Sequence, residues 1–245
     1  MKRILLAAAA CIMFAVPAMA GGGVMCTTGT YNFGGVCARP TPTQGLELLM
    51  KGNAKFVTGD LDLLKQLASP TVRKEVAIGQ KPFAVVLTCS DSRVPPEILF
   101  DKGLGEIFVI RVAGNVVAPH ELGSIEYALE HLGTNLIVVL GHEKCGAVSA
   151  TYAAYPAHVE GNIGSLTESI YPAVNAVVAG TKPADTAMQT AQIEECIVEN
   201  IKLVSESLET KSVIIKELVE TGKAKIVRAK YDLDDGKVTV LSGGL

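Results

Sequence analysis

The sequence predicts an α/β fold in which a mainly parallel central sheet is flanked by helices, and three observations predict it. Residues 83–88, 106–112 and 136–140 are short, nearly continuous apolar runs, the pattern of strands buried on both faces. Between and after them, apolar residues recur at helical spacing, so strand and helix alternate as in βαβ units. Near the end, Asp234-Asp235-Gly236 separates the β-rich stretches 225–233 and 237–241, which marks a C-terminal hairpin or edge strand.

The first twenty residues stand apart from that fold. Lys2-Arg3 is a charged n-region, residues 4–16 an apolar h-region and Ala18-Met19-Ala20 an A-x-A site, so a secretory signal peptide cleaved after Ala20 is expected. An uncleaved anchor is the competing reading, but a bilayer span takes about 20 apolar residues, and Pro17 closes this run early. The mature chain is then a periplasmic protein with no stable membrane insertion. Residues 21–42 form an N-terminal leader or arm. Within it Cys26 and Cys37 bracket a Gly-rich, polar stretch without periodicity, which is either a disulfide-closed loop or a disordered leader with two unpaired thiols.

Residues 43–245 make a single domain. The 245-residue chain is 49% hydrophobic and 19% charged, enough for one sizeable core. Residues 46–57 form an amphipathic helix with Leu46, Leu49, Met50 and Phe56 near one face, and 61–79 is further helical structure interrupted at Pro70. After the strands 83–88 and 106–112, residues 121–132 carry Leu122, Ile125, Leu129 and Leu132 at helical spacing, with Gly133 as the C-cap. This is a crossover helix leading to the strand 136–140. Segments 147–155, 163–179, 184–208 and 212–220 are helical, and Cys196 falls in register with Ile193, Ile197, Ile201 and Val204 as a small core residue.

A net charge of -3 provides no basic patch for nucleic acid. With no Trp and only 5% aromatic residues, stacking platforms for bases or sugars are not expected either. Small neutral or anionic substrates remain.

The chemistry concentrates just past two of the strands. Cys89-Ser90-Asp91-Ser92-Arg93 follows the first and His142-Glu143-Lys144-Cys145 the third, where open α/β sheets place their ligands. Two thiolates and an imidazole are preferred zinc ligands, and three protein ligands with an open fourth position is the plan of a catalytic zinc site. Asp91 lies two residues from Cys89 and Arg93 two further on, so in an extended segment all three point one way, and Arg93 can hold Asp91. A strand-end ion pair that only fixes the loop is the alternative. A thiol oxidoreductase is a weaker fit, since neither Cys89 nor Cys145 sits in a C-x-x-C pair.

The C-S-D-S-R-V and G-H-x-x-C-G segments together resemble the β-class carbonic anhydrases. Gln80-Lys81-Pro82-Phe83, Arg111-Val112-Ala113-Gly114-Asn115, residues 123–128 and residues 231–237 are similar to that family as well. The resemblance runs from about Gly45 to Leu241. It implies Zn2+ held by Cys89, His142 and Cys145, on an α/β fold whose homodimer, or dimer of dimers, completes each site. It implies a carbonate dehydratase, a zinc lyase that hydrates carbon dioxide reversibly to bicarbonate and a proton. In an open site zinc lowers the pKa of its water from 15.7 to about 7, giving a hydroxide that attacks carbon dioxide. By the same resemblance Asp91, paired to Arg93, orients the nucleophile, while an unpaired Asp91 closes the zinc; Gln80 reaches substrate from the neighbouring subunit, and Phe108, Ala113 and Tyr127 line the pocket. A related hydrolase of carbonyl sulfide or carbon disulfide, and a closed structural zinc protein, are the alternatives on this scaffold.

Overall fold

A computed structural model of the chain describes residues 25–27, 30–33, 36–62 and 69–243. The signal segment 1–20 lies outside the described residues, as does 63–68 within the predicted helical stretch 61–79.

The sheet has five strands in the order β5-β4-β6-β7-β8: β4 (Ala84–Thr88), β5 (Ile107–Arg111), β6 (Leu136–His142), β7 (Lys225–Tyr231) and β8 (Val238–Ser242). The first four are parallel, and β8 pairs antiparallel with β7 through the predicted hairpin. All five residues of β4 and all seven of β6 are buried. Alternation sorts their side chains onto two faces. Val85, Leu87, Ile137 and Val139 enter one core, together with Cys89, Cys145, Cys196 and Ile201. Ala84, Val86, Leu136, Val138 and Leu140 enter the other, against Leu46, Leu49 and Phe100.

Helices cover both faces. They are α1 (Pro42–Thr58), α2 (Pro70–Val76), α3 (Pro96–Leu99), α4 (Pro119–Glu130), α5 (Gly146–Ala154), α6 (Gly161–Val178), α7 (Thr186–Lys211) and α8 (Val213–Glu220). Helix α1 starts on a Thr41–Gln44 capping box and stops at Gly59 in the left-handed region. Helix α4 stops sooner than the sequence predicts. His131 is its C-cap, and Gly133, with φ 68°, makes the turn beyond it.

The described residues of the N-terminal arm up to Ala38 form strands. Strands β1 (Met25–Thr27), β2 (Thr30–Phe33) and β3 (Val36–Ala38) form an antiparallel meander, and a Cys26–Cys37 disulfide ties its outer strands. Strands of three and four residues are too short to display a period, and β3 is exposed throughout, so no hydrophobic pattern marked them. The signal was one residue. Tyr31 is only 2% exposed, its ring meets Phe83 edge-on at 5.4 Å, and its hydroxyl donates to Glu106 Oε1 at 2.5 Å. Arg39 donates to the carbonyls of Pro82 and Leu132 at 2.6 and 2.7 Å, and Asn135 donates to that of Pro40 at 2.9 Å. Every one of these contacts lies at the amino ends of β4, β5 and β6.

Burial, and the charge and hydrogen bond of Glu106, raise the Tyr31 phenol well above its usual value. Its proton is therefore held more tightly in the folded chain, and the stability this contributes is complete below about pH 10 and drains as pH climbs beyond it. Tyr31→Phe keeps the ring and removes the hydroxyl, leaving a buried carboxylate short of a donor. Its unfolding free energy in urea at pH 8 should fall by about 1–3 kcal/mol, and the difference from wild type should shrink above pH 10; equal stability at pH 8 would show that the arm contributes through packing alone.

Candidate metal centre

The β4–β6 register builds the centre. Thr88 lies opposite Leu140, so Cys89 leaves β4 level with Gly141 and beside His142, the last residue of β6. Thr88 Oγ1 donates to the Leu140 carbonyl at 2.8 Å, tying the two strand ends together. Cys145 is the N-cap of α5, where unpaired amides and the helix dipole favour a thiolate. One ligand atom each from Cys89, His142 and Cys145 lies within 4.8 Å of the others, and all three residues are buried.

The donor set fits zinc. His142 Nδ1 is 2.7 Å from the Glu143 carbonyl, which makes Nδ1 the protonated nitrogen and turns the Nε2 lone pair towards the sulfurs. Among the described residues Nε2 has no hydrogen-bond partner although it is buried, the condition of a ligand rather than of a packed histidine. The thiols interact as a pair. The Cys145 thiol beside it draws Cys89 below the usual thiol range, while the same pairing and then burial push Cys145 up. A dication bound between them would favour both sulfurs as thiolates. Zinc bonds of about 2.0–2.3 Å are compatible with ligand atoms this close together.

The segment after Cys89 is fixed by two arginines. Arg93 donates from Nε to Asp91 Oδ1 at 2.9 Å and from Nη2 to Oδ2 at 2.7 Å, a two-pronged pair that, with the Arg93 main-chain N–H, draws the Asp91 carboxyl well below its usual range. Asp91 Oδ2 is 3.8 Å from His142 Nε2, so the carboxylate borders the three ligands. Arg111 donates to the carbonyls of Cys89 at 3.1 Å and Asp91 at 2.6 Å.

Cys89 is also held from behind. Gly114 N–H donates to its sulfur at 3.3 Å, and Asn200 of α7, 1% exposed, donates to the Gly114 carbonyl at 2.9 Å. Gly114 has φ 75°, and a Cβ there would stand 2.5 Å from Ile170 Cδ1. Sequence reasoning assigned no role to Arg111 or Asn200. A guanidinium ending an apolar strand was the available signal for Arg111; Asn200, inside a helix 86 residues from its partner, offered none.

Within one chain the remaining predicted residues sit elsewhere. Phe108 is opposite Val85, four positions short of Cys89 along β4, and its ring is 6.4 Å from that of Tyr127, which is 47% exposed. Gln80 is exposed ahead of β4, and Ala113 opens the short 3-10 turn Ala113–Asn115.

Residues 84–238 match the family model described as carbonic anhydrase. The chain is 38% identical over 199 residues to carbonic anhydrase 2 of Mycobacterium tuberculosis, covering 81% of this chain and 92% of that one. Among solved structures it resembles the β-carbonic anhydrase CcaA at 25% identity with a TM-score of 0.63, over 81% of this chain and 88% of that one. Its fold is also that of tetrameric β-carbonic anhydrases of Sordaria macrospora, at 22% identity and a TM-score of 0.61, over 71% and 87%.

Gly114→Ala tests the support behind Cys89. A left-handed non-glycine residue costs about 1–3 kcal/mol, and the clash with Ile170 adds to it. The variant should melt earlier and retain less zinc after dialysis; wild-type melting and zinc content together would show that the turn does not support the ligand.

Proposed function

The chain belongs to the carbonic anhydrase family, in its β class, and on that premise we propose roles for its site residues, its assembly and its location. It is an enzyme that interconverts carbon dioxide with bicarbonate and a proton, and its cofactor is zinc. In this reading Cys89, His142 and Cys145 hold the ion, which when bound supplies an acidified water as the nucleophile.

The protein groups do the rest. The carrying observation is that both Asp91 oxygens are engaged by Arg93 while Oδ2 stays beside His142 Nε2. A carboxylate held this way would accept a hydrogen bond from the attacking water and turn its lone pair towards carbon dioxide, and with both oxygens engaged by Arg93 it would not itself serve as a ligand. Because the carboxyl is held below its usual range, Asp91 remains an acceptor throughout the neutral range. With Cys89 and Cys145 both among its ligands, a bound dication would acidify water less than on an all-histidine site, so activity should favour alkaline pH.

The pocket is completed by a second copy, as a dimer or a dimer of dimers. Support comes from β5, an edge strand of the sheet, and from the half-exposed Tyr127 beside Phe108. Gln80 then reaches substrate across the interface. A signal peptide ending at Ala20 and a disulfide-closed arm fit a periplasmic enzyme. No described helix is long and apolar enough to cross a membrane.

Stopped-flow hydration of carbon dioxide by the chain beginning at Gly21, with zinc measured on the same sample, tests this reading. Turnover should rise between about pH 6.5 and 9 and vanish with the zinc in Cys145→Ser. Asp91→Asn should keep its zinc and lose about 10²–10⁴-fold in kcat/KM. Zinc-loaded wild type without turnover anywhere in that range would refute the assignment, and an undiminished Asp91→Asn would remove Asp91 from the chemistry.

A further inference from the structure

His142 ends a strand and Cys145 caps a helix, so the chain must reverse between them in two residues, Glu143 and Lys144. It does so by placing Lys144 in the left-handed region at φ 51°, where a residue with a Cβ is disfavoured and where no glycine is present to relieve it. Something outside the loop must hold that conformation. Glu194, eight residues into α7, accepts the Lys144 main-chain N–H at 2.8 Å through Oε1. Its other oxygen takes Lys230 Nζ at 3.0 Å, and Lys230 reaches Glu143 Oε1 at 3.2 Å. On the far side of Lys144, its carbonyl is 3.4 Å from Arg93 Nη2, the nitrogen that also holds Asp91.

We propose that Glu194 is a positioning residue of the metal centre: by holding the peptide ahead of Lys144 it fixes the left-handed turn that sets His142 and Cys145 at ligand spacing. Arg93 holds the following peptide, so both planes flanking the Lys144 Cα are anchored by charged side chains from separate elements. Lys230 keeps the Glu194 carboxylate aimed at the loop. The role rests on the ligand assignment above, because an unanchored turn matters only if both its ends bind one ion.

The test uses purified enzyme loaded with zinc, or with cobalt(II) as a coloured substitute, and compares Glu194→Ala, Glu194→Gln, Glu194→Asp and the double variant Glu194→Ala/Lys144→Gly. Zinc affinity is read by competition with a chelator, and ligand geometry by the thiolate-to-cobalt absorption band. Outer partners of ligands typically contribute about 10–100-fold in metal affinity, so Glu194→Ala should lose about that much and shift the cobalt band. Glu194→Gln, which keeps an acceptor oxygen, should stay near wild type. Lys144→Gly in the alanine background should recover affinity, because glycine adopts the turn without help; a merely structural helix residue would show no such rescue. Should Glu194→Ala not fold, Glu194→Asp, one methylene short, should weaken binding in the same direction. An unchanged band and affinity in Glu194→Ala, or in Glu194→Asp where the alanine variant is not obtained, would overturn the positioning role alone, as would a loss that Lys144→Gly leaves unrepaired. A wild-type protein that takes up neither metal would overturn the ligand assignment and this role together.

Discussion

The parallel pairing of β4 with β6 is the constraint on which the rest depends. Residues more than fifty positions apart meet because Thr88 faces Leu140, and that register decides which residues leave the sheet side by side. Side chains alternate with a period of two, so a slip of one position would turn Cys89 away from the face it shares with Val85, Leu87 and Cys145. Two apolar cores oppose such a slip, because it would exchange the buried residues of both faces at once. The site is therefore specified by hydrophobic burial before any metal arrives. The polar groups at the strand ends refine its geometry.

Those polar groups come in compensated sets. Arg93 answers Asp91, Lys230 answers Glu143 and Glu194, and Lys144 answers Asp234 on the hairpin. Pairs as exposed as Lys144–Asp234 contribute little stability individually. Their arrangement matters more: Lys230 and Lys144 tie the 142–145 loop to β7 and to the hairpin after it, while the Arg93–Asp91 pair fixes the 89–93 segment on itself. The 89–93 segment is held to β5 through Arg111, and the 142–145 loop to α7 and to the hairpin after β7. Helix α7 touches both ligand segments, through Glu194 on one side and through Asn200 and Gly114 on the other.

What could be read from the sequence follows from how local its signal is. The buried strands were visible because a strand covered on both faces is apolar through its body, as β4 is from Ala84 to Leu87 and β6 from Leu136 to Leu140. Cys89, His142 and Cys145 stood out because ionisable residues gather where two apolar runs end. The hairpin was legible from three turn residues, and α7 from its spacing, although Asp185 as N-cap moved its start to Thr186. The strands of the arm, Arg111, Asn200 and Glu194 escaped because each acts on partners 20 to 95 residues away without any local period. Tyr31 is buried from within a four-residue strand, and so short a segment beside glycines does not read as structure.

The ends of β4 are chemically unlike. The arm with its Cys26–Cys37 bridge docks on Phe83, below the strand, while Cys89 emerges above it. At about 3.3 Å per residue, the six steps between them span about 20 Å. Thiol–disulfide exchange requires a thiolate to touch the sulfur it attacks, and Cys89, Cys145 and Cys196 are all buried. The strand thus acts as an insulator: one chain carries an oxidised pair and a reduced, metal-ready pair together, and neither can scramble the other while the sheet is intact.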